Sequence, residues 1–110
     1  MYKIIVVEDN VRINRHISGI LKKALPSDVN IESAFDGESA LQMAKSGVDA
    51  VITDIRMPKM SGIELITEVK KMFPKVKIVI ISAYEDFKVA QEAIALKVDQ
   101  YLLKPFDDKK

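Results

Sequence analysis

Short apolar runs alternate with longer amphipathic segments along the whole chain. The run from Lys3 to Glu8 is continuously apolar between its charged ends, which predicts a strand buried on both faces. Ile13, Ile17, Ile20, Leu21 and Ala24 then recur at helical spacing, and Pro26 marks that helix as finished. Val29 to Ala34 predicts a second strand. Asp36-Gly37 opens a second helix carrying Leu41, Met43 and Ala44, and Gly47 is its expected C-terminal cap. Val48 to Asp54 predicts a third strand. Ser61 and Glu64 have the capping-box spacing of a third helix, whose apolar positions are Ile63, Ile66 and Val69 and which Pro74 ends. Val76 to Ile81 is the most hydrophobic strand, Asp86 to Leu96 is helical in composition, and Gln100 to Leu103 predicts a fifth strand.

Strands and helices taking turns imply successive βαβ units. Right-handed crossovers then produce a doubly wound α/β fold, a parallel sheet with helices on both faces. Such sheets bind ligands outside the carboxyl ends of their strands, where strand order reverses. The residues to inspect therefore follow the strands: Glu8 and Asp9 after the first, Asp54 after the third, Ser82 after the fourth, Lys104 after the fifth. The second strand ends in Ala34-Phe35 and contributes no comparable group.

Three carboxylates brought to one edge repel, and either protons or a cation must relieve them. An all-oxygen set without His or Cys suits a hard ion such as Mg²⁺. An aspartate can also attack phosphorus to form an aspartyl phosphate, and phosphoryl transfer needs little beyond positioning and charge neutralisation. Lys104 could pair with a phosphoryl oxygen and Ser82 could donate to another. Each of these residues has an ordinary reading by itself: a helix cap, a turn aspartate, a loop hydroxyl, a solvated lysine. Their coincidence at four strand ends favours the joint reading. His16, the only histidine, lies inside the first helix and reads as a surface or boundary residue.

Composition narrows the picture further. At 110 residues the chain has the length of one domain, 1–110. Its net charge is +1, without a Lys/Arg run, so it carries no electrostatic footprint for direct nucleic-acid binding. There are no cysteines, which excludes disulfides and thiolate chemistry. No stretch reaches the roughly 20 apolar residues of a membrane span, and no signal peptide is legible. A cytoplasmic location is expected.

Val7-Glu8-Asp9-Asn10, Asp36 to Leu41, Asp54 to Pro58, Ser61 to Glu64, Ile81-Ser82-Ala83 and Tyr101 to Pro105 together resemble the response-regulator receiver (CheY-like) family over essentially the full length. The stretch from Ser82 to Pro105 further resembles receivers attached to AraC-type DNA-binding domains. The resemblance implies a flavodoxin-like sheet of five strands in the order 2-1-3-4-5. It implies a two-component signalling switch rather than an enzyme, in which Asp54 takes a phosphoryl group from a sensor histidine kinase. Asp9, Asp54 and the Arg56 carbonyl would hold Mg²⁺, with Glu8 acting through water. Lys104 would contact the phosphoryl group, with a cis bond to Pro105. Ser82 and Tyr101 would be the switch pair, and Arg56 and Tyr84 would tune the dephosphorylation rate.

The sequence departs from the family in two places. Only Phe106 to Lys110 stands where a fifth helix is usual, too little for a stable helix. A truncated longer protein is the simplest reading, with an output DNA-binding domain absent. One sheet face is then expected to be partly uncovered, favouring a partner or a homodimer, and stability is expected to be below that of a complete receiver. Lys97 stands where a small residue, commonly Gly, precedes the last strand. The competing reading is a receiver-fold interaction or scaffold module in which phosphorylation plays no part. A nucleotide-binding protein or an esterase is disfavoured, since neither a phosphate-binding glycine loop nor a nucleophile elbow is present.

Overall fold

The computed structural model describes residues 2–55, 57–82, 91, 92 and 94–103, and only the backbone of 82 and 101–103. Its elements are β1 (Lys3–Val7), α1 (Val11–Ala24), β2 (Asn30–Ala34), α2 (Gly37–Ala44), β3 (Ala50–Asp54), α3 (Gly62–Met72), β4 (Lys77–Ser82) and β5 (Gln100–Leu103). The strands are parallel, in the order β2-β1-β3-β4, and β5 runs beside β4 from Val79↔Gln100 to Ser82↔Leu103. The expected helix from Asp86 to Leu96 falls largely outside the described residues, although Gln91, Glu92, Ile94 and Ala95 are helical. The segment from Phe106 to Lys110, on which the expectation of an uncovered face rested, also lies outside them.

Alternating strand residues face opposite sides. Ile5, Val7, Val51, Ile78 and Ile80 join Leu65, Ile66 and Val69 of α3 and Ala40 and Ala44 of α2 in the larger core. Val6 and Ile81 meet Ile17 of α1 on the other side, with Ile13, Leu21, Ile31 and Ile52 against them. Ile5, Val6, Val7, Ile78 and Ile80 are entirely buried. Each such side chain contributes about 1.5–3 kcal/mol of transfer free energy. The continuous apolar runs are thus explained by helices on both faces.

The helix starts follow the residues that can cap them. Asn10 Oδ1 accepts from Ile13 N–H, Asp36 Oδ1 from Ser39 N–H, and Ser61 and Glu64 form a reciprocal capping box. Gly47 leaves α2 with φ 117°, a conformation that glycine adopts without a Cβ clash.

Two predictions arise here. The Ser39 N–H, then its hydroxyl, hold the Asp36 carboxyl below its ordinary value of 3.8. Because the folded pKa is depressed, the cap's contribution is present above the ordinary carboxylate range and is lost as pH falls through the lowered pKa. The stability gap between wild type and Asp36→Ala, followed by urea unfolding against pH, is therefore constant near neutrality and closes in acid. The second prediction concerns Lys97, which sits at φ 58°, the left-handed region that penalises side chains. This gives the missing glycine noted in the sequence a physical cost. Lys97→Gly is expected to raise stability by about 0.5–1 kcal/mol, after the unfolded-state entropy of glycine is subtracted, and to move the urea midpoint without changing the slope.

Candidate functional site

The register of the sheet assembles the site. Val7 pairs with Thr53 and Asp54 with Ile81, so Glu8, one residue past β1, stands level with Asp54 at the end of β3. Glu8 is 1% exposed and Asp54 7%, while Asp9 faces solvent. One carboxylate oxygen from each of Glu8, Asp9 and Asp54 lies within 4.8 Å of the other two.

Each carboxylate has a local reason for its position. Glu8 N–H donates to Ala34 O at 3.1 Å, extending the β1–β2 ladder past its last paired residue. The Glu8 side chain folds back over the turn, where Oε2 accepts from Asn10 N–H at 3.1 Å. Asp54 Oδ1 accepts from Ile55 N–H at 2.8 Å, and the Asp54 carbonyl accepts from the buried Thr53 hydroxyl at 2.8 Å. Gly62 N–H donates to Ile55 O at 2.8 Å, drawing the start of α3 against the end of β3.

The donor set fits a hard divalent cation. It is all oxygen, and among the described residues it is the one such group. Two oxygens on one magnesium lie at most about 4.2 Å apart at the ordinary bond length, so three inside 4.8 Å need little movement or one bridging water. Two of the three carboxylates are buried. At that spacing and an effective dielectric near 20, a pair of like charges repels by about 3.5 kcal/mol or more, and a bound cation would offset that cost.

The structure thus brings together Glu8, Asp9 and Asp54 of the residues expected from sequence. The backbone of Ser82 ends β4, one position beyond the partner of Asp54, and Tyr101 lies in β5 opposite Ile80. The Ser82 and Tyr101 side chains, and Arg56, Tyr84, Lys104 and Pro105 entirely, lie outside the described residues. His16 is exposed on α1, as expected.

Sequence reasoning missed three supporting residues: Thr53, Gly62 and Asn14. Asn14 carried a usable signal, since a polar residue three before Ile17 and seven before Leu21 falls on the apolar stripe of α1. Nothing comparable marked Thr53.

Comparison with known proteins agrees with this geometry. The family described as response regulator receiver domain matches residues 4–110. An uncharacterised transcriptional regulatory protein of Bacillus subtilis, YesN, is 34% identical over 110 residues, covering 99% of this chain and 30% of its own. The chemotaxis protein CheY of Treponema pallidum is 33% identical over 112 residues, covering 99% of this chain and 76% of its own. This chain therefore spans less than a third of YesN and most of that CheY. The response regulator TrrA of Thermotoga maritima, solved in complex with Mg²⁺ and BeF, superposes with a TM-score of 0.82 at 33% identity, over 99% of this chain and 92% of that one.

Proposed function

The chain belongs to the response regulator receiver domain family, and from that premise we propose that it is a phosphorylation-dependent switch of two-component signalling whose phosphoacceptor is Asp54. Receiver domains are regulatory phosphoacceptors rather than conventional enzymes, and residues 1–110 are read as one such domain. The observation that carries the reading is the convergence of three carboxylates, two of them buried, at the ends of β1 and β3.

Glu8, Asp9, Asp54 and the Arg56 carbonyl would hold Mg²⁺. When bound, that ion neutralises the acidic cluster and the incoming phosphoryl oxygens. Asp54 attacks the phosphorus of a kinase phosphohistidine: an O–P bond forms, the N–P bond breaks, and the imidazole leaves with its electron pair and takes a proton. Ile55 N–H orients the attacking carboxylate through its hydrogen bond to Oδ1. Lys104 pairs with the transferred group and Ser82 donates to it. Phosphorylation adds about −1.5 to −2 charge at this one strand end. Ser82 moving toward it vacates space for Tyr101, which shifts the 82–105 face between two packings. Arg56 and Tyr84 set the access of the hydrolytic water. The partners read from this are a sensor histidine kinase and, by likeness to the transcriptional regulatory protein YesN, an output segment acting in transcription. The family's sheet, completed by β5 in the order 2-1-3-4-5, is the frame for this coupling. Among the described residues no helix is long and apolar enough to cross a membrane.

Incubation with Mg²⁺ and acetyl phosphate, read by intact mass, tests the chemistry. One phosphoryl adduct is expected, dependent on Mg²⁺ and absent in Asp54→Asn. A folded wild-type protein that takes up no phosphoryl group would overturn the reading in favour of an interaction module.

A further inference from the structure

We propose that Asn14 is a positioning residue for the divalent-cation site, holding the Glu8–Asp9 turn in its ligating conformation; this rests on reading Glu8, Asp9 and Asp54 as that site. Asn14 is wholly buried on the sheet-facing side of α1. A carboxamide there is destabilising unless its hydrogen bonds are made. Its Nδ2 lies 2.9 Å from Ala34 O, 3.1 Å from Glu8 O and 3.3 Å from Val6 O. Two amide protons thus serve three carbonyls, drawn from the ends of two strands. Its Oδ1 accepts from Ser18 Oγ at 3.3 Å, and Ser18 Oγ lies 3.0 Å from Ser33 Oγ. The orientation of the amide is determined by this network, because a flipped group would set Oδ1 against three carbonyl oxygens.

The contact with Glu8 O links this buried network to the site. That carbonyl belongs to the peptide joining Glu8 to Asp9, so its direction sets the plane from which both carboxylates leave the chain. Ala34 O, the second partner, also accepts Glu8 N–H. Asn14 therefore grips the Glu8 peptide directly and, through Ala34, the rung before it. An apolar side chain of equal volume would fill the space between α1 and the sheet but would leave the Glu8–Asp9 peptide to be oriented by the turn alone. Groups that orient metal ligands in this way typically change metal affinity by 10–100-fold when removed.

The test compares Asn14→Leu with Ser18→Ala, titrating each with Mn²⁺ by water-proton relaxation, well below the melting temperature of each variant. Ser18→Ala loses a buried hydrogen bond but keeps all three carbonyl contacts, so it registers a stability loss alone. Asn14→Leu is expected to bind Mn²⁺ about tenfold more weakly, with Ser18→Ala binding as wild type does. A folded Asn14→Leu with wild-type affinity overturns the proposal. If that variant does not fold, the wild-type protein decides. Coupling is reciprocal, so saturating Mg²⁺ must slow solvent exchange of the Asn14 side-chain amide protons, measured by NMR, and unchanged exchange overturns it. A flat Mn²⁺ titration of the wild-type protein overturns the metal-site reading and the proposal with it, and is told apart because the failure then precedes any substitution.

Discussion

Gly62→Ala is expected to lower folding stability by about 3 kcal/mol and to abolish phosphoryl acceptance at Asp54. A Cβ on Gly62 would press into the Asp54 carbonyl oxygen and stand 2.9 Å from Ile55 Cα and 3.0 Å from Asp54 C. These are backbone atoms at the end of a central strand, paired to β4 through Asp54↔Ile81 and tied by the Thr53 hydroxyl. They cannot swing aside as a side chain would. Helix α3 would have to withdraw, stretching the Gly62 N–H···Ile55 O bond and loosening Leu65 and Ile66 in the core. Helix propensity alone favours alanine over glycine by about 1 kcal/mol, so a net loss isolates the steric effect. Gly19→Ala is the matched control: it lies within α1, its added Cβ meets nothing within 4 Å, and it is expected to stabilise. Urea unfolding of both variants, with phosphorylation read by mass, provides the check. A Gly62→Ala protein as stable as wild type would mean that the β3–α3 junction yields, and that Asp54 is not held by close packing.

Magnesium is expected to raise the stability of the wild-type protein by about 2.7 kcal/mol at a free concentration of one hundred times its dissociation constant. For a domain of this size that is a rise in melting temperature on the order of ten degrees or more. The mechanism is linkage. The folded chain gathers Glu8, Asp9 and Asp54 within 4.8 Å, whereas unfolding parts Asp54 from the adjacent Glu8 and Asp9. Asp9→Asn should remove most of the response, because it weakens an exposed ligand without disturbing the core. Thermal melts by circular dichroism across a Mg²⁺ series, at matched ionic strength, test this. An unchanged wild-type melting temperature would sink the metal-site reading, whatever the phosphorylation assay showed.

Much of this architecture was legible in the sequence because its determinants are local. Short apolar runs and period-3.6 hydrophobicity announced β1 to β4 and α1 to α3. Ser61 with Glu64 announced a helix start that the structure completes as a capping box. Lys97 was conspicuous in place of a glycine, and its φ of 58° shows why a glycine suits that position. The strand-end rule selected Glu8, Asp9 and Asp54 because in a parallel sheet every strand points its carboxyl end to the same edge. Asn14 and Gly62 escaped notice because their roles depend on atoms elsewhere in the chain: an Ala34 carbonyl twenty residues on, and the Asp54–Ile55 backbone under the first turn of α3. Thr53 escaped because a buried hydroxyl donating to the next carbonyl leaves no mark on the hydrophobic pattern.

By itself, then, the sequence determined the elements, their parallel winding and the oxygen chemistry available at one edge of the sheet. Those follow from side-chain periodicity and chain connectivity, which each segment carries alone. Only the tertiary structure decided that Glu8 stands level with Asp54, and that one buried amide and one missing Cβ hold the two strand ends in place. Register and close packing set these distances, and both arise only when segments far apart in the chain exclude water and meet.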